Sequence, residues 1–498
     1  MNNRTLGRRA VRRVAIGAAA LVATTVVGTG VAHSNESESF GFTPITTDAL
    51  SCSAKGLIKF ANDAGNDPVT PVQLMQAGDA ATPINAPATS TKVGRVNDMI
   101  ALNPNGKYLY TSSENGFPSE NGQAPNGSEG ITRLTLKGPG AGTKAILTDA
   151  VDATGTNLWQ RVDGMKWYPH GGPTGTGVLL ASEEFSAGGI WQVNPDTGAY
   201  VRLDWLGNFA HEGIGLDSKG TLYLGDENRG GAIYKAVPND RRDLTKGGTL
   251  SYMVGPSIDA SGWKQVVDPK AATPEALNGG AILFDRPEDF DEANGRVYFT
   301  VTEPKADADN RKGNYGTTIG DASKNQVVNR GGVYSFATKG VPGLATDSGA
   351  APYAKLTPMI EVQDPKYTSQ AQAQAQQGLQ FPDNIAFDGH GHLWVHEDIP
   401  DSNGTFPASG IDVSKQTRDQ QDELYVFVLN KKGDAIVANP STTGPAVSGG
   451  YKAADMRSSA TAVPCENEFT GGIFDADGER LFINQQHADN PTMTIKLG

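Results

Sequence analysis

The chain has 498 residues and a formal net charge of −13 at pH 7, an acidic balance that argues against nucleic acid or anionic lipid as a partner and suits divalent cations. Only 19% of residues are charged while 61 are glycine, a composition of many turns rather than long helices. With two cysteines, Cys52 and Cys465, zinc sites of the multi-Cys kind are excluded.

The first residues read as an export segment. Arg4, Arg8, Arg9, Arg12 and Arg13 form a basic region, an apolar stretch follows from Val14 to Val27, and Gly30-Val31-Ala32 offers small residues for cleavage. Residues 1–32 are therefore expected to be a signal peptide, with an apolar part too short for a comfortable membrane span. The pairs Arg8-Arg9 and Arg12-Arg13 fit the twin-arginine route (Tat), and the basic region fits the general secretory route (Sec) equally well. Residues 33–50 are expected to form a flexible lead-in and residues 51–498 a single domain. The mature protein is expected to be secreted or held in the cell envelope as a monomer, without stable membrane insertion.

One unit then recurs along the chain. It reads "VNDMIALNPNGKYLYTSSE" from Val96, more loosely "VDGMKWYPHGGPTGTGVLLASEE" from Val162, and "FAHEGIGLDSKGTLYLGDE" from Phe209. It returns as "RPEDFDEANGRVYFTVTE" from Arg286, "FPDNIAFDGHGHLWVHED" from Phe381 and "NEFTGGIFDADGERLFINQQH" from Asn467. Each copy has an acidic residue, a short alternating apolar run, a Gly-containing turn and a second apolar run, which is the pattern of a β-hairpin. Six hairpins spread along one chain predict radial repetition, an all-β propeller of six blades with long insertions between strands. Gly189–Leu203, Gly230–Val237, Gly331–Ala337 and Asp422–Asn430 are expected as outer strands. A propeller brings its ends together, so Cys52 and Cys465 are expected to form a disulfide in an oxidising compartment.

The spacing of acids inside the unit carries the chemistry. Glu212 and Glu227 bracket one hairpin, Glu288 and Glu303 another, Asp383 and Asp398 a third, and Asp98 and Glu114 a fourth; Asp163 opens the looser copy. Folding at the turn brings the first and last residues of a hairpin to its open end. In a propeller those ends gather at one mouth of the central channel. Carboxylates so crowded repel unless protons or cations compensate, and Ca2+ accepts six to eight oxygens in loose geometry. His211, beside Glu212, is a candidate for orienting a ligand, and Arg286 and Arg229 for meeting an anionic substrate. Asp217, Asp291 and Asp475 lie near turns and are expected to cap their own backbone.

The motifs from Phe209, Arg286, Phe381 and Glu468 together resemble the PhoX-type alkaline phosphatase family, in the same order and over most of the chain. The resemblance implies an exported propeller with calcium and iron at its axis that hydrolyses phosphate esters. It implies metal ligands at Glu184, Glu212, Glu227 or its neighbour Asp226, Glu288, Asp398 and Glu468. One departure stands out: family members with iron carry a Cys where this chain has Pro169, which argues against thiolate-held Fe3+ and leaves Ca2+ as the expected ion. The leading expectation is a metal-dependent phosphatase acting on a small phosphorylated substrate. A calcium-dependent lactonase-like propeller, which "PDNIAFDGHGHLWV" also resembles, and a non-enzymatic calcium-stabilised binding propeller are the alternatives.

Overall fold

The structure is a computed structural model that describes residues 59–60, 71–84, 91–94, 96–114, 130–148, 159–172, 176–254, 262–302, 326–327, 331–338, 360–361, 379, 382–397, 405–406, 411–412, 421–427, 429, 451–457, 468–486 and 491–496. All of these fall in one compact unit, Phe40–Gly498. Both cysteines, Glu303, Asp398 and the side chain of Glu468 lie outside what is described, as do the proposed signal segment and most of the long insertions.

Six antiparallel blades form a β-propeller. Their inner hairpins are Asn97–Leu102 with Tyr108–Ser113, Val162–Tyr168 with Val178–Glu183, and His211–Leu216 with Leu222–Asp226. Pro287–Ala293 pairs with Arg296–Val301, Pro382–Phe387 with Leu393–Glu397, and Glu468–Phe474 with Arg480–Gln486. We number the blades one to six in this order. Each innermost strand packs against that of the next blade, and blade six against blade one, so the ring is closed. The expected outer segments are strands where anticipated: Ile190–Val193 and Tyr200–Arg202 in blade two, Arg229–Pro238 in blade three, Gly332–Ala337 in blade four and Gln421–Phe427 in blade five.

Early and late parts of the described chain also meet. Val72–Met75 adds to the outer edge of blade six beside Thr492–Lys496, which pairs the two chain ends through backbone bonds. Such a strand also covers an edge that would otherwise present unpaired backbone groups, as Lys59–Phe60 does on blade five.

The core follows from alternation along these strands. Apolar side chains collect between blades rather than in one centre: Met99, Tyr110, Met165 and Leu179 between blades one and two, Phe209, Ile214 and Tyr234 between two and three. Phe284, Phe290 and Phe299 fill the next gap, and Trp394, Phe469 and Leu481 the space between five and six. The hairpin turns obey their local chemistry. In blade four, Asn294 (φ 54°) and Gly295 (φ 77°) form a two-residue loop with both residues left-handed, which the Asn-Gly pair tolerates best. Pro287 and Pro382 each stand at the first position of a strand, where a missing N–H costs no ladder bond. The one α-helix among the described residues, Ala272–Gly279, is eight residues long and was not foreseen. No described helix is long and apolar enough to cross a membrane.

Candidate metal centre

Every inner strand carries a β-bulge near its open end. The register slips between Asn97 and Ile100, Val162 and Met165, His211 and Ile214, Pro287 and Phe290, Pro382 and Ile385, and Thr470 and Ile473. The first bulged residue is therefore Asp98, Asp163, Glu212, Glu288, Asp383 and Gly471 in turn. A bulge adds a residue and re-aims its side chain. In five blades that residue is an acid, and all five acids are buried. Blade six is the exception. Its expected ligand Glu468 stands three residues before the bulge, paired with Gln486 at the strand end, so it does not share the position of Glu212 and Glu288. Glycine fills the place because a Cβ at Gly471 would stand 2.5 Å from the Asp98 carbonyl.

A second tier comes from the residue just past the last rung of each hairpin. Glu114, Glu184, Glu227 and Thr302 hold this position, each donating its N–H to the residue two before the bulge acid: Val96, Arg161, Ala210 and Arg286. Val96, Arg161 and Arg286 have positive φ of 51°, 47° and 53°. A left-handed backbone is costly for residues with a Cβ, most of all for a β-branched valine, and such strain gathers at functional sites.

The two arginines point into the acids. Arg161 Nε donates to Glu114 Oε1 at 2.8 Å, and its guanidinium also ion-pairs with Glu184. Arg286 Nε lies 3.0 Å from Glu227 Oε1 and 3.0 Å from Glu288 Oε1. Arg161 was missed in the sequence, although "Arg161-Val162-Asp163" and "Arg286-Pro287-Glu288" share one spacing. From blade six, Gln486 Nε2 donates to Asp98 Oδ2 at 2.6 Å and Glu114 Oε2 at 2.9 Å, another contact the sequence reading did not anticipate.

Oxygen atoms converge in two groups. Asp98, Glu114 and Asp163 form one, across blades one and two; Glu212, Glu227 and Glu288 form the other, across blades three and four. Within each group one oxygen from every residue lies within 4.8 Å of the others. Glu184 stands beside both, bonded to Arg161 and hydrogen-bonded to Glu227. Several other candidates are turned elsewhere. Asp226 accepts from the hydroxyl of Thr273 at 2.7 Å and the amide of Asn228 at 2.9 Å, so Glu227 and not Asp226 reaches the group. His211 Nε2 lies 3.2 Å from the Gly207 carbonyl and its ring stacks on Phe209. Arg229 is in register with Asp285. Pro169 is exposed in the turn at the far end of the blade-two inner hairpin, a strand's length from Asp163.

The electrostatics are those of under-compensated acids. Burial first, and neighbouring carboxylates second, push Glu212 and Asp163 well above the ordinary carboxylate range. Burial does the same to Glu184, with Glu227 adding to it, and to Glu288 against the opposing pull of Arg286. Glu227 goes the other way: burial would raise it, but Arg286, Glu184 and Arg161 together hold it ionised. Asp163 Oδ1 and Glu288 Oε2 are buried with no hydrogen-bond partner. Ca2+ binds oxygen at about 2.3–2.6 Å, so oxygens up to roughly 5 Å apart can share one ion. The spacing, the all-oxygen donor set and the two orphaned oxygens all fit a hard divalent cation.

A six-bladed propeller with a carboxylate-lined mouth is a class that many chemistries share. Residues 190–489 match the family model of the alkaline phosphatase PhoX. The chain belongs to that family, whose members are metal-dependent phosphatases. Among solved structures it is similar to a Pseudomonas fluorescens PhoX in complex with vanadate, a transition-state analogue, at 16% identity and a TM-score of 0.52, covering 92% of this chain and 98% of that one. A PQQ-bound aldose sugar dehydrogenase from Streptomyces coelicolor aligns at 14% identity and a TM-score of 0.40, covering 90% and 99%. A gluconolactonase from Xanthomonas campestris aligns at 14% and 0.30, covering 67% and 85%. No curated protein matches the chain.

Proposed function

We propose that this chain is an exported, calcium-dependent phosphoric-ester hydrolase whose ions are held by Asp98, Glu114 and Asp163 and by Glu212, Glu227 and Glu288, with Glu184 and Asp383 alongside. The observation that carries the reading is the pair of three-acid groups, each built across two blades with one oxygen left without a partner. When bound, divalent cations compensate the carboxylate charge and polarise a phosphate ester as Lewis acids. The chain's own part is to bind and orient. Arg161 and Arg286 sit one in each group, and a guanidinium fits two phosphate oxygens in fork geometry. Both side chains are about a quarter exposed, so a substrate anion reaches them from the mouth. Their carboxylate partners hold them in place before substrate arrives. The vanadate in the Pseudomonas fluorescens protein, a transition-state analogue, supports the same substrate class here. Pro169 lies a strand's length from the acids, so it is not where an axial thiolate would stand; what favours Ca2+ is that the donors gathered in the two groups are carboxylate oxygens.

The test pairs substrate with metal. The mature protein, purified after export, is expected to turn over a phosphomonoester with Ca2+ present and to lose that activity in chelator. Chelator should also lower the melting temperature, since a ligand bound only to the folded state stabilises it by mass action. Full activity and an unchanged melting temperature in excess chelator would sink the proposal. Cleavage of a lactone in place of the phosphomonoester would move the protein to a different reaction.

A further inference from the structure

The bulges that present the acids also take the bulged residue out of its own ladder, and a backbone carbonyl so displaced must find another donor. That donor comes from the preceding blade. Ser112 Oγ donates to the Asp163 carbonyl at 2.6 Å, and Ser182 Oγ to the Glu212 carbonyl at 2.7 Å. Thr300 Oγ1 donates to the Asp383 carbonyl at 2.5 Å, and the side-chain amide of Asn484 to the Asp98 carbonyl. Ser112, Ser182 and Thr300 occupy one structural position: the rung of the second strand that faces the bulge of their own blade. All four donors are fully buried.

We propose that Ser112, Ser182, Thr300 and Asn484 are positioning residues for the carboxylate ring, each fixing from one blade the acid of the next. The reasoning rests on the metal-binding reading of those acids. Holding the carbonyl fixes the peptide plane after the acid, and with it the direction of the Cα–Cβ bond that aims the carboxylate. Three rungs lack such a donor: in blade six the rung is Ile483, whose neighbour Asn484 donates in its stead, and the other two are informative. At blade three the rung is Gly225, where a Cβ would stand 2.6 Å from the Pro287 carbonyl, leaving no space for a side chain. The acid beyond it, Glu288, is held at its carboxylate instead, by Thr302 Oγ1 at 2.7 Å and by Arg286. At blade five the rung is His396, and the next blade has Gly471 in the acid's place, so there is no carboxylate to aim. Asn484 is itself locked: it donates to Thr111 Oγ1 at 3.0 Å and accepts from Thr492 Oγ1 at 2.6 Å.

The experiment is calorimetric titration of the full chain with Ca2+ alone, beside thermal melting in chelator. Groups that orient metal ligands typically change affinity 10- to 100-fold, so Ser182→Ala and Ser112→Ala should each weaken Ca2+ binding by about tenfold. Thr300→Val should weaken it as well, and Thr300→Ser, which keeps the hydroxyl, should restore it. The control is Thr494→Val. Thr494 Oγ1 donates to the Leu481 carbonyl at 3.1 Å, a buried bond of the same kind made within blade six, from its outer strand to the second strand of its inner hairpin. It should lower the melting temperature in chelator as the serine variants do and leave Ca2+ affinity unchanged. Equal weakening by Thr494→Val, or unchanged affinity in Ser182→Ala, overturns the positioning role. If the unaltered protein binds no Ca2+, the metal reading falls and this inference falls with it.

Discussion

The two ends of the inner hairpins are built from the same strands and have opposite electrostatics. At the turn end, the described acids are either exposed to solvent, as Asp477 and Glu479 are, or have a partner within the chain. Asp217 accepts from the amides of Lys219 and Thr221, Asp475 from those of Glu479 and Arg480, and Asp388 from His390 and His392. Asp291 ion-pairs with Lys166 at 2.9 Å, above a cavity of about 300 Å³ lined by Met165, Trp167, Phe387 and Phe474. At the open end, Arg161 and Arg286 stand among many more carboxylates, and two buried oxygens have no partner. A local turn satisfies its own acid; a bulge aims the acid away from its backbone and towards other blades. Charge left unmatched by the chain marks where something else is meant to bind.

Replacing an acid by its amide removes charge and keeps shape, so a graded series of such changes probes this contrast. The largest effect is expected at Glu288. Glu288→Gln should reduce phosphomonoester turnover by about 100-fold, the scale of losing one preorganised electrostatic element. It should shrink the rise in melting temperature produced by Ca2+. In chelator the variant should melt no lower than the unaltered protein, because a buried charge among like charges has been removed. A variant that lost stability in chelator and kept its activity would show Glu288 to be a structural acid.

The second contrast is read through pH in metal-free protein. Asp163, Glu184, Glu212 and Glu288 hold protons more tightly folded than unfolded, first through burial and then through each other. The native state then binds more protons, so stability falls as pH rises above the ordinary carboxylate range towards the raised values. Asp289, pushed by burial to about 7, adds to this fall up to neutrality. His211 and His396, driven by burial to about 3, act in the opposite sense. Their stability contribution is present above about 6.5 and is lost as pH falls towards 3. In chelator the melting temperature should therefore decline as pH rises from about 4.5 towards neutrality and beyond, with the two histidines opposing the fall below about 6.5. Ca2+ should remove most of that decline. A metal-free curve that does not fall as pH rises through this range would mean the open end is already compensated by the chain.

The third change tests the opposite end. Asp291 was expected to cap its own backbone near the turn; it does accept the Glu292 N–H at 2.9 Å, but it is an inner-strand residue that also pairs with Lys166 on blade two. Lys166 reaches it past blade three, where the matching position is Gly215. Asp291→Asn should cost about 1 kcal/mol, since both side chains remain a quarter exposed and solvent screens the pair. Ca2+ affinity should not move. A fall in metal content equal to that of Glu288→Gln would show that the channel acts as one electrostatic unit.

What could be read from the sequence divides along the same line. Hairpins are local, so period-two alternation and Gly-containing turns located the inner strands to within a residue or two, from Val96 to His487. The acids were visible because one position repeats. The bulge was not visible, since a single extra residue leaves alternation almost intact, and Glu468 was aligned three residues away from the place held by Gly471. Arg161 was hidden by the loose copy in blade two. The ion pair of Asp291 was missed because its partner is 125 positions away in the chain, and no local pattern carries that contact.

The smallest effect is expected at Asp217, the purest turn acid. Its Oδ1 accepts two backbone N–H groups at 2.9 Å, from Lys219 and Thr221, and the Gly220 amide closes the same turn on the Asp217 carbonyl. An asparagine keeps that oxygen, so both bonds survive in Asp217→Asn. The other carboxylate oxygen lies 3.5 Å from the Tyr223 hydroxyl, at the edge of bonding distance, and the new amide can donate there while the phenol oxygen accepts. What is lost is the added strength of a charged acceptor, which should amount to less than about 1 kcal/mol. Asp217 directly follows the inner strand that carries Glu212, five residues further towards the turn. If the open end depends only on its own bulge and on the side-chain donors of the preceding blade, this change should leave Ca2+ affinity and turnover untouched. A measurable loss of Ca2+ affinity in Asp217→Asn would mean that the strand transmits its register from turn to mouth, and the two ends could then no longer be treated as independent.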